Sequence, residues 1–251
     1  MSFTPRQRRR WAAALMATVV GVVTVVWFVG AGPHALSRPG ELTSRPPPVE
    51  YLWTSAYPEY GYEALQPIVA EHLARLPPGS RILDLGCGNG VMLASLRGHG
   101  WELVGVDVSE SGIAQARRAW PDIRFETGDA TGDLSALGRF DAIVSTEVIE
   151  HIFLPRRFAS NAYELLRPGG LLVLSTPYHG WLKNVAIAVA GEGDRHYQPL
   201  SDYGHIKFWS VGTLSRLLWE ADFDDVQYRG LGRVPYLWSR LVMTARRPGN
   251  S

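Results

Sequence analysis

The sequence predicts an α/β domain built on a doubly wound, mostly parallel sheet with helices on both faces. Two observations support this prediction. From residue 80 onward, short apolar runs alternate with helical segments, a pattern typical of parallel sheets. The last two apolar runs follow each other closely, which indicates an antiparallel pair at one edge. With 251 residues, of which 46% are hydrophobic, the chain can fill the core of one large domain.

The predicted elements follow in order along the chain. Strands are expected at residues 81–85, 102–107, 140–146 and 171–177, and residues 123–130 are expected to form the third strand together with its loop. Helices are expected at residues 91–100, 109–120, 154–170 and 210–223. Ser109 can cap the second helix and Pro121 can end it, because a serine oxygen accepts from free helix N–H groups and proline interrupts the helix. The stretches DDVQYRGLG and LVMTARRP are the final two strands.

The first fifty residues differ from the rest. Residues 1–10 are basic, residues 11–30 carry no charge, and residues 31–50 form a linker rich in proline, glycine and serine. A helix of twenty residues rises about 30 Å, which matches the hydrocarbon core of a bilayer. We therefore expect one transmembrane anchor, because the apolar part of a cleaved signal peptide, the alternative, is only about 7–15 residues long. Residues 51–251 are the predicted globular domain.

Charge and cysteine content narrow the classes of function. The chain has 25 basic and 24 acidic residues, a net charge of +1, and so lacks the basic balance typical of nucleic-acid binding. Cys87 is the only cysteine, which excludes an internal disulfide and a cysteine zinc cluster. We expect a small-molecule partner and no nucleic acid.

A glycine-rich turn follows the first predicted strand. The stretch DLGCGNG contains Asp84, Gly86, Gly88 and Gly90, and glycines allow both a sharp turn and close approach of a ligand to the backbone. Asp107 ends the second strand, where a carboxylate can accept hydrogen bonds from both ribose hydroxyls. A dinucleotide is the rival ligand. Asp84 would repel a pyrophosphate but suits an ammonium group, which favours S-adenosylmethionine over NAD.

Four motifs of this chain resemble the successive motifs of class I S-adenosylmethionine-dependent methyltransferases. They are ILDLGCGNG, VGVDVS, FDAIVSTEVIEH and LLRPGGLLVLSTP. The pattern is most similar to that of the ubiquinone-biosynthesis O-methyltransferase group, over about residues 60–247. The resemblance implies a seven-stranded sheet in the order 3-2-1-4-5-7-6, with strand 7 antiparallel.

The resemblance also implies roles for individual residues. The methionine part of the cofactor would be held by Asp84 and by the loop residues Gly86, Cys87, Gly88 and Gly90. Asp107 would bind the ribose, Asp129 would lie beside the adenine amino group, and Thr146 would line the pocket. We expect Cys87 to be a small packing residue and not a nucleophile.

The stretch STEVIEHIFLP follows the fourth strand and leaves three interpretations open. If it is helical, Glu147, Glu150 and His151 share one face. His151 could be a general base with Glu150 beside it, since an imidazole titrates near neutral pH. Alternatively, all three could hold a divalent metal that activates a catechol-like hydroxyl; their spacing is similar to a stretch linked with Mg²⁺ in the resembled group. In the third interpretation one glutamate caps a helix and His151 packs or faces solvent.

The segment 178–209 is a long insertion after the fifth strand and is expected to be a lid or substrate element. Its apolar stretch 181–190 could lie on a membrane, close over a lipophilic acceptor, or be a core helix. The polar groups expected at the pocket are His179, His196, His205 and Lys207. The aromatic segment 51–62 is expected to cover the cofactor.

These patterns predict S-adenosylmethionine-dependent methyl transfer to a small, lipophilic acceptor, with oxygen as the expected methylated atom. A non-catalytic cofactor-binding or scaffold protein is the alternative, and the intact Asp84, Asp107 and glycines argue against it. A nucleic-acid or protein methyltransferase is disfavoured because the chain has no NPPY-type loop after the fourth strand and no run of basic residues in the domain.

The orientation of the predicted anchor involves a conflict. Four arginines precede it, at positions 6, 8, 9 and 10, and the positive-inside rule then predicts a domain outside the cytoplasm. S-adenosylmethionine is made inside the cell. We therefore expect a single-pass, membrane-tethered domain that faces the cytoplasm, against the charge pattern.

Overall fold

The computed structural model describes Trp53 and residues 62–249. The predicted anchor and linker, residues 11–30 and 31–50, lie outside the described residues. Within the described residues, no helix combines the length and the apolar character needed to cross a bilayer.

Helices and strands alternate through the described part of the chain. The strands are β1 (Arg81–Leu85), β2 (Glu102–Asp107), β3 (Arg124–Thr127), β4 (Phe140–Thr146), β5 (Leu166–Pro177), β6 (Asp224–Leu231) and β7 (Arg240–Arg246). The α-helices are α1 (Tyr62–Leu73), α2 (Val91–Ser95), α3 (Glu110–Ala119), α4 (Pro155–Leu165), α5 (Trp181–Val189), α6 (Gly193–Tyr197) and α7 (Val211–Glu220). Two short 3₁₀ turns lie at Ser135–Leu137 and Ile149–His151.

The seven strands form one sheet in the order β3-β2-β1-β4-β5-β7-β6. Strand β7 runs antiparallel to both β5 and β6, and the remaining pairs are parallel. The predicted fold class, strand order and antiparallel edge pair are therefore confirmed. Because the order reverses between β1 and β4, the carboxyl ends of these strands flank the crevice where ligands bind in open α/β sheets.

The core lies on both faces of the sheet, as expected for parallel strands covered by helices. On one face, α4 and α7 contribute Phe158 and Leu214 to a cluster around Phe140. On the other, α1 and α3 contribute Leu65 and Ile113 to a second cluster. The buried sheet holds the strand ends in fixed positions, and the candidate site is built on those ends.

Two predicted helix ends were wrong. The helix expected at 91–100 ends at Ser95, because Gly98 and Gly100 take positive φ angles of 88° and 72°. The helix expected at 154–170 ends at Leu165, and β5 already begins at Leu166. Residues 169 and 170 instead exchange main-chain hydrogen bonds with Arg247, so the Pro-Gly-Gly stretch extends the ladder to β7 rather than the helix.

Candidate active site

The glycine-rich loop after β1 has the tight conformation that its sequence predicts. Gly86, Gly88 and Gly90 have φ angles of 90°, 50° and 79°, which favour glycine over residues with a side chain. A Cβ at Gly86 would lie 2.5 Å from Val148 Cγ2. Glycine at this position therefore lets the cofactor loop pack directly against the turn after β4.

Asp84 lies on β1 under this loop and is 1% exposed. Within the described part of the chain, neither of its carboxylate oxygens has a hydrogen-bond partner. Burial raises the pKa of Asp84 to about 8, and the nearby charge of Asp107 adds to the shift. A buried acid that no described residue satisfies is costly unless a ligand supplies the partner. The ammonium group of S-adenosylmethionine fits that requirement.

Asp107 ends β2 beside the loop. Its Oδ2 accepts a hydrogen bond from the Gly88 N–H at 2.8 Å, and its Oδ1 accepts one from the Ser109 N–H at 2.8 Å. Ser109 also caps α3, as predicted, by accepting from the Gly112 N–H at 3.1 Å. The carboxylate thus links the loop after β1 to the start of α3, which is the position expected for a ribose-binding acid.

The other predicted cofactor residues differ in their surroundings. Asp129 is exposed, and its Oδ1 accepts from the N–H and hydroxyl of Thr131 at 2.7 and 2.9 Å, so it shapes its own turn. Thr146 is buried at the end of β4. Cys87 is buried inside the loop, and burial raises the pKa of its thiol well above the usual range, which keeps it protonated and unreactive.

The Trp53 side chain packs on the glycine-rich loop after β1. The main-chain N–H of Trp53 donates to Ser111 Oγ at 3.2 Å. A Cβ at Gly88 would collide with its indole ring, and one at Gly112 would lie 2.9 Å from its Cδ1 atom. The two glycines thus form a slot for the ring. Of the aromatic segment 51–62 the structure describes only Trp53 and Tyr62, and Trp53 packs as an N-terminal cover.

The turn after β4 is not the helix that would place Glu147, Glu150 and His151 on one face. Glu147 has a φ of 56°, and only a 3₁₀ turn, Ile149–His151, follows. Glu147 Oε2 accepts from Arg240 Nε at 3.1 Å, and its Oε1 accepts from Ser175 Oγ at 2.8 Å. These bonds direct the Glu147 carboxylate toward β5 and β7.

Glu150 is buried, with 1% exposure. Its Oε2 accepts from the Thr176 hydroxyl at 3.0 Å, while its Oε1 has no hydrogen-bond partner among the described residues. Burial, reinforced by the charge of Glu147, raises the pKa of Glu150 well above its usual range. Like Asp84, Glu150 is a buried acid with a carboxylate oxygen that accepts no hydrogen bond from the described residues.

Two histidines stand next to Glu150. His151 Nδ1 lies 3.0 Å from the Tyr203 carbonyl oxygen, which can only accept, so we assign the proton to Nδ1 and leave Nε2 as an acceptor. His205 Nε2 lies 3.9 Å from Glu150 Oε1, and the two imidazole rings are 4.9 Å apart. Burial, followed by the His151 charge, lowers the pKa of His205 to about 4.

Potential metal-ligand atoms of Glu150, His151 and His205 all lie within 4.8 Å of one another. This group contains two of the three predicted metal ligands but takes His205 in place of Glu147. Residue spacing within the turn after β4 could not predict that His205 takes part, because His205 comes from the far end of the insertion. It is held there by its neighbours Ile206 and Lys207, whose N–H groups both donate to the Glu150 carbonyl at 2.9 Å.

The other polar residues expected at the pocket, His179, His196 and Lys207, are not part of this group of possible metal ligands. His179 is buried, its ring lies 4.8 Å from Phe208 and 5.3 Å from His196, and burial lowers its pKa to about 4. Lys207 Nζ lies over the Phe153 ring, 5.4 Å from its centre. Helix α5 buries only Ile187, so it is not the core helix that was one of the expectations.

Comparison with known proteins gives a family. The family model described as a methyltransferase domain matches residues 57–228. A ubiquinone biosynthesis O-methyltransferase from Cereibacter sphaeroides is 34% identical over 167 residues, covering 64% of this chain and 67% of that protein. A protein of the same name from Dinoroseobacter shibae is 28% identical over 204 residues, covering 79% of each chain.

Solved structures share the fold at low sequence identity. A SAM-dependent methyltransferase from Archaeoglobus fulgidus has a TM-score of 0.57 and 18% identity, covering 73% of this chain and 93% of that one. The cyclase SpnF has a TM-score of 0.62 and 19% identity, covering 80% and 87%. Since one of these neighbours is a cyclase, the fold alone does not determine the chemistry. The match to the methyltransferase family model, with the relatives above, shows that the chain belongs to the methyltransferase domain family and is an S-adenosylmethionine-dependent methyltransferase.

Proposed function

We propose that this protein transfers the methyl group of S-adenosylmethionine to a hydroxyl oxygen of a small, lipophilic acceptor. The observation that carries the proposal is Glu150, a buried carboxylate with one unpartnered oxygen beside His151 and His205. Glu150 and His151 lie in the turn that follows β4, the strand that pairs with the Asp84 strand β1, and the insertion brings His205 to them. The names of the relatives, which specify O-methylation in ubiquinone biosynthesis, support oxygen as the acceptor atom.

In this proposal the cofactor lies along the carboxyl ends of β1 and β2. The Asp84 carboxylate would accept a hydrogen bond from the ammonium group of the methionine part. The loop from Gly86 to Gly90 would let the cofactor approach the main chain. Asp107 accepts from the ribose hydroxyls, Asp129 lies near the adenine, and Thr146 lines the pocket at the end of β4.

The acceptor hydroxyl needs a base. The Tyr203 carbonyl holds the proton on His151 Nδ1, so Nε2 is free to take the acceptor proton. The acceptor O–H bond breaks toward Nε2, a bond forms from oxygen to the methyl carbon, and the carbon–sulfur bond breaks with its electron pair left on sulfur. The positive charge of the imidazolium that forms next to Glu150 favours the ionised form of this buried acid, and the carboxylate in turn stabilises the imidazolium.

A divalent metal at the same residues is the second candidate, favoured by the 4.8 Å grouping of Glu150, His151 and His205. Two imidazoles and one carboxylate suit Zn²⁺, Fe²⁺ or Mn²⁺ better than Mg²⁺, which prefers oxygen ligands. The three residues present therefore do not fit the expected Mg²⁺ well. A bound ion would lower the pKa of an acceptor hydroxyl.

A methylation assay separates these two candidates. Labelled S-adenosylmethionine is offered with an alkylcatechol, before and after chelation, with add-back of Zn²⁺, Mn²⁺ or Mg²⁺. Activity that survives chelation in the wild type and is lost in His151→Ala supports the base. Loss on chelation with rescue by Zn²⁺ or Mn²⁺ supports the metal. Absence of methylated product from alkylcatechols and from extracted lipids, with label in protein or nucleic acid instead, would exclude the proposed acceptor class.

We also propose that residues 11–30 tether the domain to a membrane and that the domain faces the cytoplasm, where its cofactor is made. The charge-free sequence of this stretch supports the tether. C-terminal fusions to green fluorescent protein and to alkaline phosphatase test the orientation. We expect fluorescence, and phosphatase activity would refute the cytoplasmic orientation.

A further inference from the structure

Helix α5 directs a lysine toward the interior of the protein. Ile187 is the only residue that this helix buries, and Lys183 lies four residues before it, on the same side of the helix. The opposite side carries Trp181, Val185 and Val189, which are 76%, 49% and 84% exposed. Lys183 itself is half-buried. Its side chain therefore points away from the solvent-facing side of the helix.

The start of the insertion lies beside the first residue of β7. Arg240 pairs with the last residue of β5 in the antiparallel ladder, and the Tyr178 N–H donates to the Ser239 carbonyl oxygen at 3.2 Å. Only residues 178–180 separate β5 from α5. The helix that carries Lys183 is thus attached to the sheet next to Arg240.

Arg240 connects this point to the acceptor side of the crevice. Its Nε donates to Glu147 Oε2 at 3.1 Å, and both side chains are only 19% exposed. Glu147 directly follows β4 and precedes Glu150 by three residues. After burial, the charge of Glu147 is the next cause of the raised pKa of Glu150. Lys183 and Arg240 therefore bring two cations to the side of the crevice that holds Glu150 and His151.

Glu147 does not balance both cations. Its Oε2 accepts from Arg240 and its Oε1 accepts from Ser175, whereas none of the ion pairs formed within the described part of the chain includes Lys183. Burial lowers the pKa of Lys183, and the repulsion by Arg240 that adds to this shift is stronger than the attraction by Glu147. A half-buried cation in these surroundings is stabilised by a ligand that carries negative charge.

We propose that Lys183, next to Arg240, binds a carboxylate on the acceptor, so that the preferred substrate carries an acid group besides the hydroxyl that is methylated. The inference deepens the proposed function and rests on it. An ammonium group and a carboxylate form a short, charge-assisted hydrogen bond. Lys183 thus determines which acceptors bind, while the proton of the acceptor hydroxyl leaves to the group beside Glu150. The carboxylate of S-adenosylmethionine itself is the competing source of negative charge.

A comparison of acids with their amides tests the proposal. The acceptors are 3,4-dihydroxyphenylacetate and caffeate, which carry the carboxylate at two distances from the catechol ring, and the primary amide of each, which is neutral and similar in shape. Methylation is measured with the wild type, with Lys183→Met and with Lys183→Arg. Arg195→Met is the matched control, because Arg195 is a cation of the same insertion whose side chain is 86% exposed and pairs with Glu192.

We expect the wild type to prefer at least one acid over its amide by about 10- to 100-fold in kcat/KM, the factor expected for a charged hydrogen bond. Lys183→Met should abolish this preference, mainly through KM, because the contact is made equally in the ground state and the transition state. Lys183→Arg should keep part of it, and Arg195→Met should keep all of it. No preference in the wild type, or a Lys183→Met variant that loses acid and amide equally, would refute the proposal.

Binding measurements separate the remaining outcomes. In calorimetry, Lys183→Met should bind S-adenosylhomocysteine within about twofold of the wild type. A loss as large as the loss of acid preference would show that Lys183 holds the carboxylate of the cofactor, which would overturn the proposal. If the wild type methylates neither acids nor amides, the proposed O-methylation fails for catechols. Titration of acid and amide into the S-adenosylhomocysteine complex then decides, since acid-selective binding that requires Lys183 supports the inference and its absence refutes it.

Discussion

The cofactor side and the acceptor side of the crevice are built in different ways. On the cofactor side, Asp84, the glycine loop and Asp107 come from a contiguous stretch of about one β-α-β unit, and main-chain bonds hold them together. On the acceptor side, Glu150 and His151 meet His205, more than fifty residues away in the sequence. Local sequence therefore determines how the candidate cofactor residues are placed, whereas long-range contacts assemble the candidate acceptor-side group. The two sides should respond differently to mutation.

Glu150→Gln should produce the largest effect and confine it to the acceptor side. Removing an acid that supports proton transfer costs about 10²–10⁴-fold in turnover, while the affinity for S-adenosylhomocysteine should stay within about twofold. Steady-state kinetics and calorimetry measure the two quantities. Glu147→Gln is the matched control, since Glu147 pairs with Arg240 and Ser175, and its effect on turnover should be much smaller. Equal losses of turnover in Glu150→Gln and Glu147→Gln would contradict the different roles assigned to these two glutamates.

Asp107→Ala should show the opposite pattern. Loss of charged hydrogen bonds, each worth about 1.5–3 kcal/mol, should weaken S-adenosylhomocysteine binding about 10- to 100-fold. Asp129→Ala is the comparison, and because Asp129 is exposed and bonded within its own turn, we expect a smaller loss. Calorimetric titration checks both. Unchanged affinity in Asp107→Ala would remove Asp107 from the cofactor site.

Asp84 should make both stability and cofactor binding depend on pH. Its pKa is raised to about 8 in the folded protein, against about 3.9 in an unfolded chain. Between these values the unfolded chain has lost a proton that the folded chain keeps, so the free energy of unfolding should fall as pH rises through about 4 to 8. Asp84→Asn should flatten this dependence in thermal unfolding without ligand.

We also expect Asp84 to release a proton when S-adenosylhomocysteine binds. The ligand ammonium group stabilises the Asp84 carboxylate and lowers its pKa, so the wild type at pH 7 should release a proton when S-adenosylhomocysteine binds. Calorimetry in buffers of different ionisation enthalpy measures that proton. Release of equal size in Asp84→Asn would assign it to another group.

The smallest effect is expected at Trp53. Trp53→Ala should weaken S-adenosylhomocysteine binding about threefold to tenfold, because the slot at Gly88 and Gly112 loses its cover. Trp53→Phe should recover part of that affinity. Trp181→Ala, an exposed tryptophan on α5, is the control and should leave the affinity unchanged. Tighter binding in Trp53→Ala would mean that the indole obstructs the cofactor.

The sequence by itself determined the fold class, the strand order through the resemblance, and the placement of Asp84, the glycine loop and Asp107. Each of these depends on a short pattern: a buried strand, a turn that requires positive φ, or an acid at a strand end. Local patterns predicted the ends of two helices wrongly. Helix α2 ends at Ser95, before a glycine turn, and α4 ends at Leu165, where the chain joins the sheet.

The tertiary structure alone decided which residues form the candidate group beside Glu150. The left-handed conformation of Glu147 and its pairing with Arg240 remove it from the group that sequence spacing suggested. His205 replaces it because main-chain bonds from residues 206 and 207 dock the insertion on Glu150. Spacing along a chain predicts neighbours within one helix or strand, but contacts between separate loops depend on how the whole sheet brings its strand ends together.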